Sequence, residues 1–137
     1  MTKFTLADNL LTGIELIDGQ HRELVRRIEE LDLAVYDNTA KVQLVMMIEY
    51  LEKYVVEHFN AEEAVMMEIN YPDFPKHRDE HAKFREWFAS VLGEYREKGA
   101  DNYLALDLNR EIQRWFEHHL KVTDAAYVPH VKKYYGL

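Results

Sequence analysis

Four stretches of the chain place their apolar side chains at steps that alternate between three and four residues. That is the spacing of helices that bury one face against neighbours. In the first stretch the inward positions are His21, Leu24, Ile28, Leu31 and Val35. In the second they are Leu44, Ile48, Leu51, Val55, His58, Glu62, Val65 and Ile69. The third gives His77, His81, Phe84, Phe88, Val91 and Tyr95, and the fourth Leu104, Leu108, Ile112, Trp115, His119, Val122 and Ala126. Breakers separate the stretches. Asp37-Asn38 divides the first from the second, and "NYPDFP" at 70–75 ends the second with two prolines, which lack the N–H a helix interior needs. In "KGADN" at 98–102, Gly99 suits the position after a helix end and Asp101 the N-cap of the next helix. Pro129 is expected to close the fourth. The predicted helices run over about 18–37, 40–69, 75–98 and 102–127. Short connections favour antiparallel neighbours, so the expected fold is all-α, an up-down-up-down four-helix bundle forming a single domain over 1–137. Residues 1–17 show no clean period and read as an extended arm across the bundle, with a turn at Gly13 and with Asp18 capping the first helix.

The seams carry residues that an apolar core excludes. Five of the seven histidines fall on inward positions, His21, His58, His77, His81 and His119, and Glu62 joins them. Chain direction adds a second constraint. His21, His77 and His81 lie near the starts of the first and third helices, whereas His58, Glu62 and His119 lie toward the ends of the second and fourth. In an antiparallel bundle those ends meet, so all six groups converge at one end of the core. A lone inward histidine is ordinarily a core residue with one hydrogen bond, and single H-x-x-x-H or H-x-x-x-E pairs arise by chance on long helices. Six together are different. Each poorly satisfied buried polar group costs roughly 1–3 kcal/mol and an unpaired buried charge more, so the set would cost on the order of 10 kcal/mol. A domain has only ~5–15 kcal/mol of net stability. Cations offset such a cost directly, because neutral imidazoles and ionised carboxylates are what metal ions bind.

Composition narrows the chemistry. The 137 residues are 47% hydrophobic and 31% charged, ordinary for a soluble globular domain. The formal net charge of −8 argues against nucleic acid or an anionic membrane surface as partner. No apolar run approaches the ~20 residues of a membrane span, and "MTKFTLADNL" lacks the regions of a signal peptide. The absence of cysteine removes disulfides, thiolate ligands and iron–sulfur clusters, and a cytoplasmic location is expected. It also argues against a sulfur-rich structural zinc site, and one zinc takes about four ligands. Six converging ligands imply two ions. Mixed imidazole and carboxylate ligation suits iron better than manganese, copper or zinc, although ligand type alone does not separate them.

The segments "GIELIDGQH" at 13–21, "HFNAEE" at 58–63, "HRDEH" at 77–81 and "WFEHHLKVTD" at 115–124, in that order, resemble the hemerythrins, specifically the single-domain bacterial ones. The resemblance covers nearly the whole chain. It implies that His77, His81 and His119 hold one iron and that His21 and His58 hold the other. Glu62 and Asp124 would bridge the two irons together with an oxo or hydroxo group. Trp115 fits the family pattern, whereas Phe4 stands where such chains often carry a tryptophan in the arm. Periodicity alone places Asp124 off the seam, five residues and about 140° beyond His119, with Val122 inward. If Asp124 is a bridge, the helix there needs either a π-type widening or a reach from its flank. His118 is offset from the seam by about 100° and reads as a neighbour of the site, and His130 as exposed.

Two six-coordinate irons offer about twelve positions. Five histidines, two bridging carboxylates and a bridging oxygen fill all but one, on the iron with two histidines. That count favours end-on binding of one small molecule, with dioxygen as the natural ligand. No Glu-x-x-His motif of the ferritin-like di-iron enzymes occurs. The expected function is therefore reversible dioxygen binding for storage, transport or delivery, by a monomer without catalytic residues that supplies an oxygen-consuming enzyme. Leu24, Val25, Ile28, Phe59 and Trp115 could form an apolar surround, though each also reads as core. The alternatives are a di-iron oxidase or peroxidase, a protein that handles nitric oxide, and an oxygen-sensing module acting on a partner.

Overall fold

The computed structural model describes residues 11–37 and 39–137. Most of the expected arm, including Phe4, lies outside the described residues, as does Asn38 of the first breaker. The described residues form α1 (Glu15–Asp37), α2 (Ala40–Glu68), α3 (Phe74–Lys98) and α4 (Asn102–His118). A π-helical segment, His119–Asp124, then leads directly into α5 (Ala125–Tyr135). Because α4, the π segment and α5 are one continuous rod, the architecture is a four-helix bundle. Among the described residues there is no strand, and no helix is long and apolar enough to cross a membrane.

Two helix ends differ from the pattern-based expectation. Asp18 does not cap α1, which begins at Glu15. Instead its buried carboxylate reaches back from the first turn. Oδ1 accepts from the Thr12 N–H and hydroxyl, both at 2.8 Å, and Oδ2 from the Gly13 N–H at 3.0 Å. Gly13 makes the turn at φ +86°, a conformation that favours glycine. At the other end Pro129 does not stop the chain but lies inside α5. The hydrogen bond it forgoes is outweighed by burial of Tyr127, Val128 and Val131 from the same helix.

The remaining boundaries follow local chemistry. Asp101 caps α4, accepting from the Leu104 N–H at 2.7 Å. The end of α2 is closed by Asn70 in the left-handed region, with the Tyr71 N–H bonded to the Met66 carbonyl and the Asn70 N–H to that of Met67. This Schellman arrangement turns the chain sharply, and Pro75 sits in the first turn of α3, where its missing N–H costs nothing. His77 is thereby delivered to the core one turn into α3.

Two apolar clusters result. The larger runs from Ala40, Leu44 and Leu104 through Leu24, Tyr54, Phe84 and Phe116 to Leu120. The smaller is Met66, Tyr71, Tyr127 and Val131, with Ile14, Val65, Ile69 and Phe74 against it. On α2 the polar seam residues fall between them: Tyr54 belongs to the large cluster, His58 and Glu62 follow, and Met66 begins the small one. The histidine layer is therefore sealed by apolar side chains on both sides rather than left at an open end of the bundle.

Candidate metal centre

All seven residues singled out in the sequence meet in this layer, and each is at most 1% exposed. His21 comes from α1, His58 and Glu62 from α2, and His77 and His81 from α3. His119 and Asp124 are the first and last residues of the π segment. That segment resolves the conflict over Asp124. Its widened turns bond residues five apart, as in the contact from the Ala125 N–H to the Leu120 carbonyl, so residues 119 and 124 come to the same side. Val122, which the α-helical period placed inward, is instead 56% exposed. His118 and His130 are both exposed.

Three of the five imidazoles are aimed by partners on their outer nitrogens, whereas Nδ1 of His21 and of His77 is buried without one. His58 Nδ1 meets Gln20 Oε1 at 2.6 Å, His81 Nδ1 meets Glu63 Oε2 at 2.9 Å, and His119 Nδ1 meets Glu80 Oε1 at 3.1 Å. An acceptor on Nδ1 holds the proton there and leaves Nε2 with its lone pair pointing inward. Glu80 is held in turn by the Thr123 hydroxyl, within the π segment, and Glu63 by Arg85 at 3.2 Å. The rings are also clamped flat: Phe59 stacks on His81 at 4.0 Å, Trp115 on His119 at 4.3 Å and Tyr54 on His58 at 4.6 Å.

Inside this frame the inward atoms lack hydrogen bonds. The Nε2 atoms of all five histidines, Glu62 Oε1 and both Asp124 oxygens are buried without a partner. They are nevertheless close. Asp124 Oδ1 lies 2.9 Å from His77 Nε2 and 3.1 Å from His119 Nε2, and its Oδ2 lies 3.2 Å from His21 Nε2. Glu62 Oε1 is 3.2 Å from the Nε2 of both His58 and His81, and its Oε2 is 3.4 Å from His21 Nε2. Short separations without hydrogen-bond angles are what lone pairs directed at shared points produce. The atoms fall into two groups that could each hold an ion, His77, His81 and His119 with Glu62, and His21 and His58 with Glu62. Glu62 belongs to both, and the two oxygens of Asp124 face opposite groups.

Electrostatics in the metal-free chain express the same arrangement. Burial disfavours charge on His21 and His77, yet the adjacent carboxylates of Asp124 and Glu62 outweigh it and raise both to about 10. Burial also opposes charge on Glu62 and Asp124, but the surrounding imidazoles hold both carboxyls well below their usual range. Burial lowers His58. The cluster thus accepts protons as substitute cations.

Pattern reading missed the supporting residues. Gln20, Glu63 and Glu80 sit beside the predicted ligands His21, Glu62 and His81, within "GIELIDGQH", "HFNAEE" and "HRDEH", and adjacency was the available signal. No local pattern pairs Glu80 with His119, 39 residues away. Tyr127, whose hydroxyl donates to Glu62 Oε2 at 2.9 Å, was hidden because the fourth helix was expected to end there.

The comparisons agree with this geometry. The family model described as "Hemerythrin HHE cation binding domain" matches residues 12–131. The bacteriohemerythrin of Pseudomonas aeruginosa is 32% identical over 133 residues, 96% of this chain and 84% of that protein. The bacteriohemerythrin of Stenotrophomonas maltophilia is 30% identical over 91% of this chain and 79% of its own length. A solved mutant hemerythrin superimposes with a TM-score of 0.75 at 25% identity, covering 96% of this chain and 98% of that one. With a family match across most of its length and a buried donor set of the kind that family's description names, the chain belongs to the hemerythrin family.

Proposed function

We propose that this protein binds dioxygen reversibly at a non-haem di-iron centre and stores or delivers it. The observation that carries the reading is the set of eight inward nitrogen and oxygen atoms that are buried and unpartnered, with the five histidines divided into two groups that share Glu62. These donors fit two cations. His77, His81 and His119 would hold one, His21 and His58 the other, with Glu62 and Asp124 bridging beside a solvent-derived oxo or hydroxo group. Two ferrous ions in that frame would supply the two electrons that reversible dioxygen binding draws on.

The protein's own residues favour carriage over oxidation chemistry. Five imidazoles against two carboxylates give a donor set less suited to high-valent iron than the carboxylate-rich enzymes. Gln20, Glu63 and Glu80 keep the imidazoles of His58, His81 and His119 in one tautomer, so that part of the frame is set before metal arrives. Phe59, stacked on His81, and Phe116, against His119, are fully enclosed and keep water from that side of the layer. The recipient would be an oxygen-consuming enzyme.

The test is anaerobic reconstitution with ferrous iron, followed by oxygen and then vacuum. The reading expects two irons per chain and a visible charge-transfer band that appears with oxygen and disappears without it. A band that bleaches irreversibly while product accumulates would replace the carrier with an oxidase.

A further inference from the structure

Tyr54 holds a hydroxyl that the fold does not use. Its ring is fixed one turn before His58, stacked on that imidazole at 4.6 Å, with edge contacts to Phe59 and Phe116 at 5.6 Å each. The oxygen is enclosed, and no group among the described residues accepts from it. The layer's other buried tyrosine shows the contrast: Tyr127 donates to Glu62. An enclosed hydroxyl without an acceptor is destabilising, and phenylalanine would make the same ring contacts without that cost. A phenol at neutral pH is a donor in search of an acceptor. Its ring neighbours are His58, Phe59, Phe116 and, at 5.8 Å, Tyr50, and the hydroxyl bonds to none of them.

We propose that the Tyr54 hydroxyl donates a hydrogen bond to the small guest bound at the two-histidine side of the centre. This rests on the reading above and deepens it. The guest class is a diatomic or triatomic molecule whose outer atom carries negative charge, that is, a small anion or dioxygen that has accepted electron density. His21 and His58 offer that side two imidazoles against three on the other, and Tyr54 is the aromatic ring stacked on His58. Phe59 and Phe116 give the guest an apolar wall, and Tyr54 gives it one polar contact, which selects charged guests over neutral ones of equal size.

The experiment compares wild type with Tyr54→Phe, using azide as the probe. Both proteins are loaded with iron, oxidised to the diferric state and titrated with azide by absorbance. Azide affinity is expected to fall about tenfold to hundredfold in the variant at an unchanged two irons per chain, the range for a lost hydrogen bond to a charged acceptor. In the metal-free proteins, thermal scans should show Tyr54→Phe at least as stable as wild type, because an unsatisfied hydroxyl has been removed. Equal azide affinity at equal iron content overturns the proposal and leaves the di-iron reading standing, as does a lower melting temperature for the metal-free variant. Wild type that fails to take two irons overturns both.

Discussion

Replacing Glu62 by glutamine keeps the shape of the side chain and removes one negative charge from the centre of the bundle. The consequence can be worked out in both states of the protein. Without metal, His21 and His77 are raised from 6.5 to about 10. At about 1.4 kcal/mol per pH unit, each imidazolium is held by roughly 5 kcal/mol, shared between Asp124 and Glu62. Both histidines are at most 1% exposed, so solvent screening takes little away. With Glu62 neutral, Asp124 supports one imidazolium rather than two, and a loss of about 3 kcal/mol is expected, at the low end for removing one partner of a buried pair. For a domain of this size that lowers the melting temperature by roughly 10 °C. With metal, the residue common to both ligand groups is lost. Iron content should fall from two per chain to one or fewer, the three-histidine side with Asp124 being the better survivor. The assays are thermal unfolding of the metal-free protein at pH 7 and iron analysis after anaerobic loading and gel filtration. A Glu62→Gln variant with two irons and an unchanged melting temperature would refute the placement of Glu62 between two cations.

Three further outcomes test other parts of the argument. Gln20→Ala removes the partner of His58 Nδ1 and should weaken metal binding about tenfold to hundredfold without changing helix content, measured by competition with a chelator and by circular dichroism. Deleting Val122, which is exposed, leaves His119 and Asp124 four residues apart, about 40° round an ordinary α-helix, so the π segment should revert to α-helix and the variant should still take up two irons per chain, measured by iron analysis after anaerobic loading. The metal-free protein should lose stability as pH rises. His21 and His77 have raised pKa values, so their contribution is complete below about 6.5 and disappears as pH passes about 10. Over the same interval metal affinity should increase, since binding no longer displaces those protons, and the loaded protein should show a flatter melting profile.

Much of this protein can be read from spacing alone. The alternation of three and four residues specifies helices with one apolar face, and the breakers at 70–75 and 98–102 divide them, because both signals depend on neighbours in the chain. His21, His58, Glu62, His77, His81 and His119 were visible for the same reason: each interrupts an apolar seam. Asp124 became visible only through resemblance, since its position depends on a π segment that no local propensity announces. The contacts that tie Glu80 to His119, and Tyr127 to Glu62, join residues 39 and 65 positions apart. They exist because separate helices settle at a particular depth and rotation, and that is decided by the two apolar clusters closing over the layer. Local chemistry therefore determined most of the residues that face inward, up to the π segment, beyond which Val122 and Ala126 turn out to solvent and Asp124 turns in. Only the assembled bundle decided which of their atoms meet, because a hydrogen bond or a shared ion is set by fractions of an ångström that packing, not periodicity, controls.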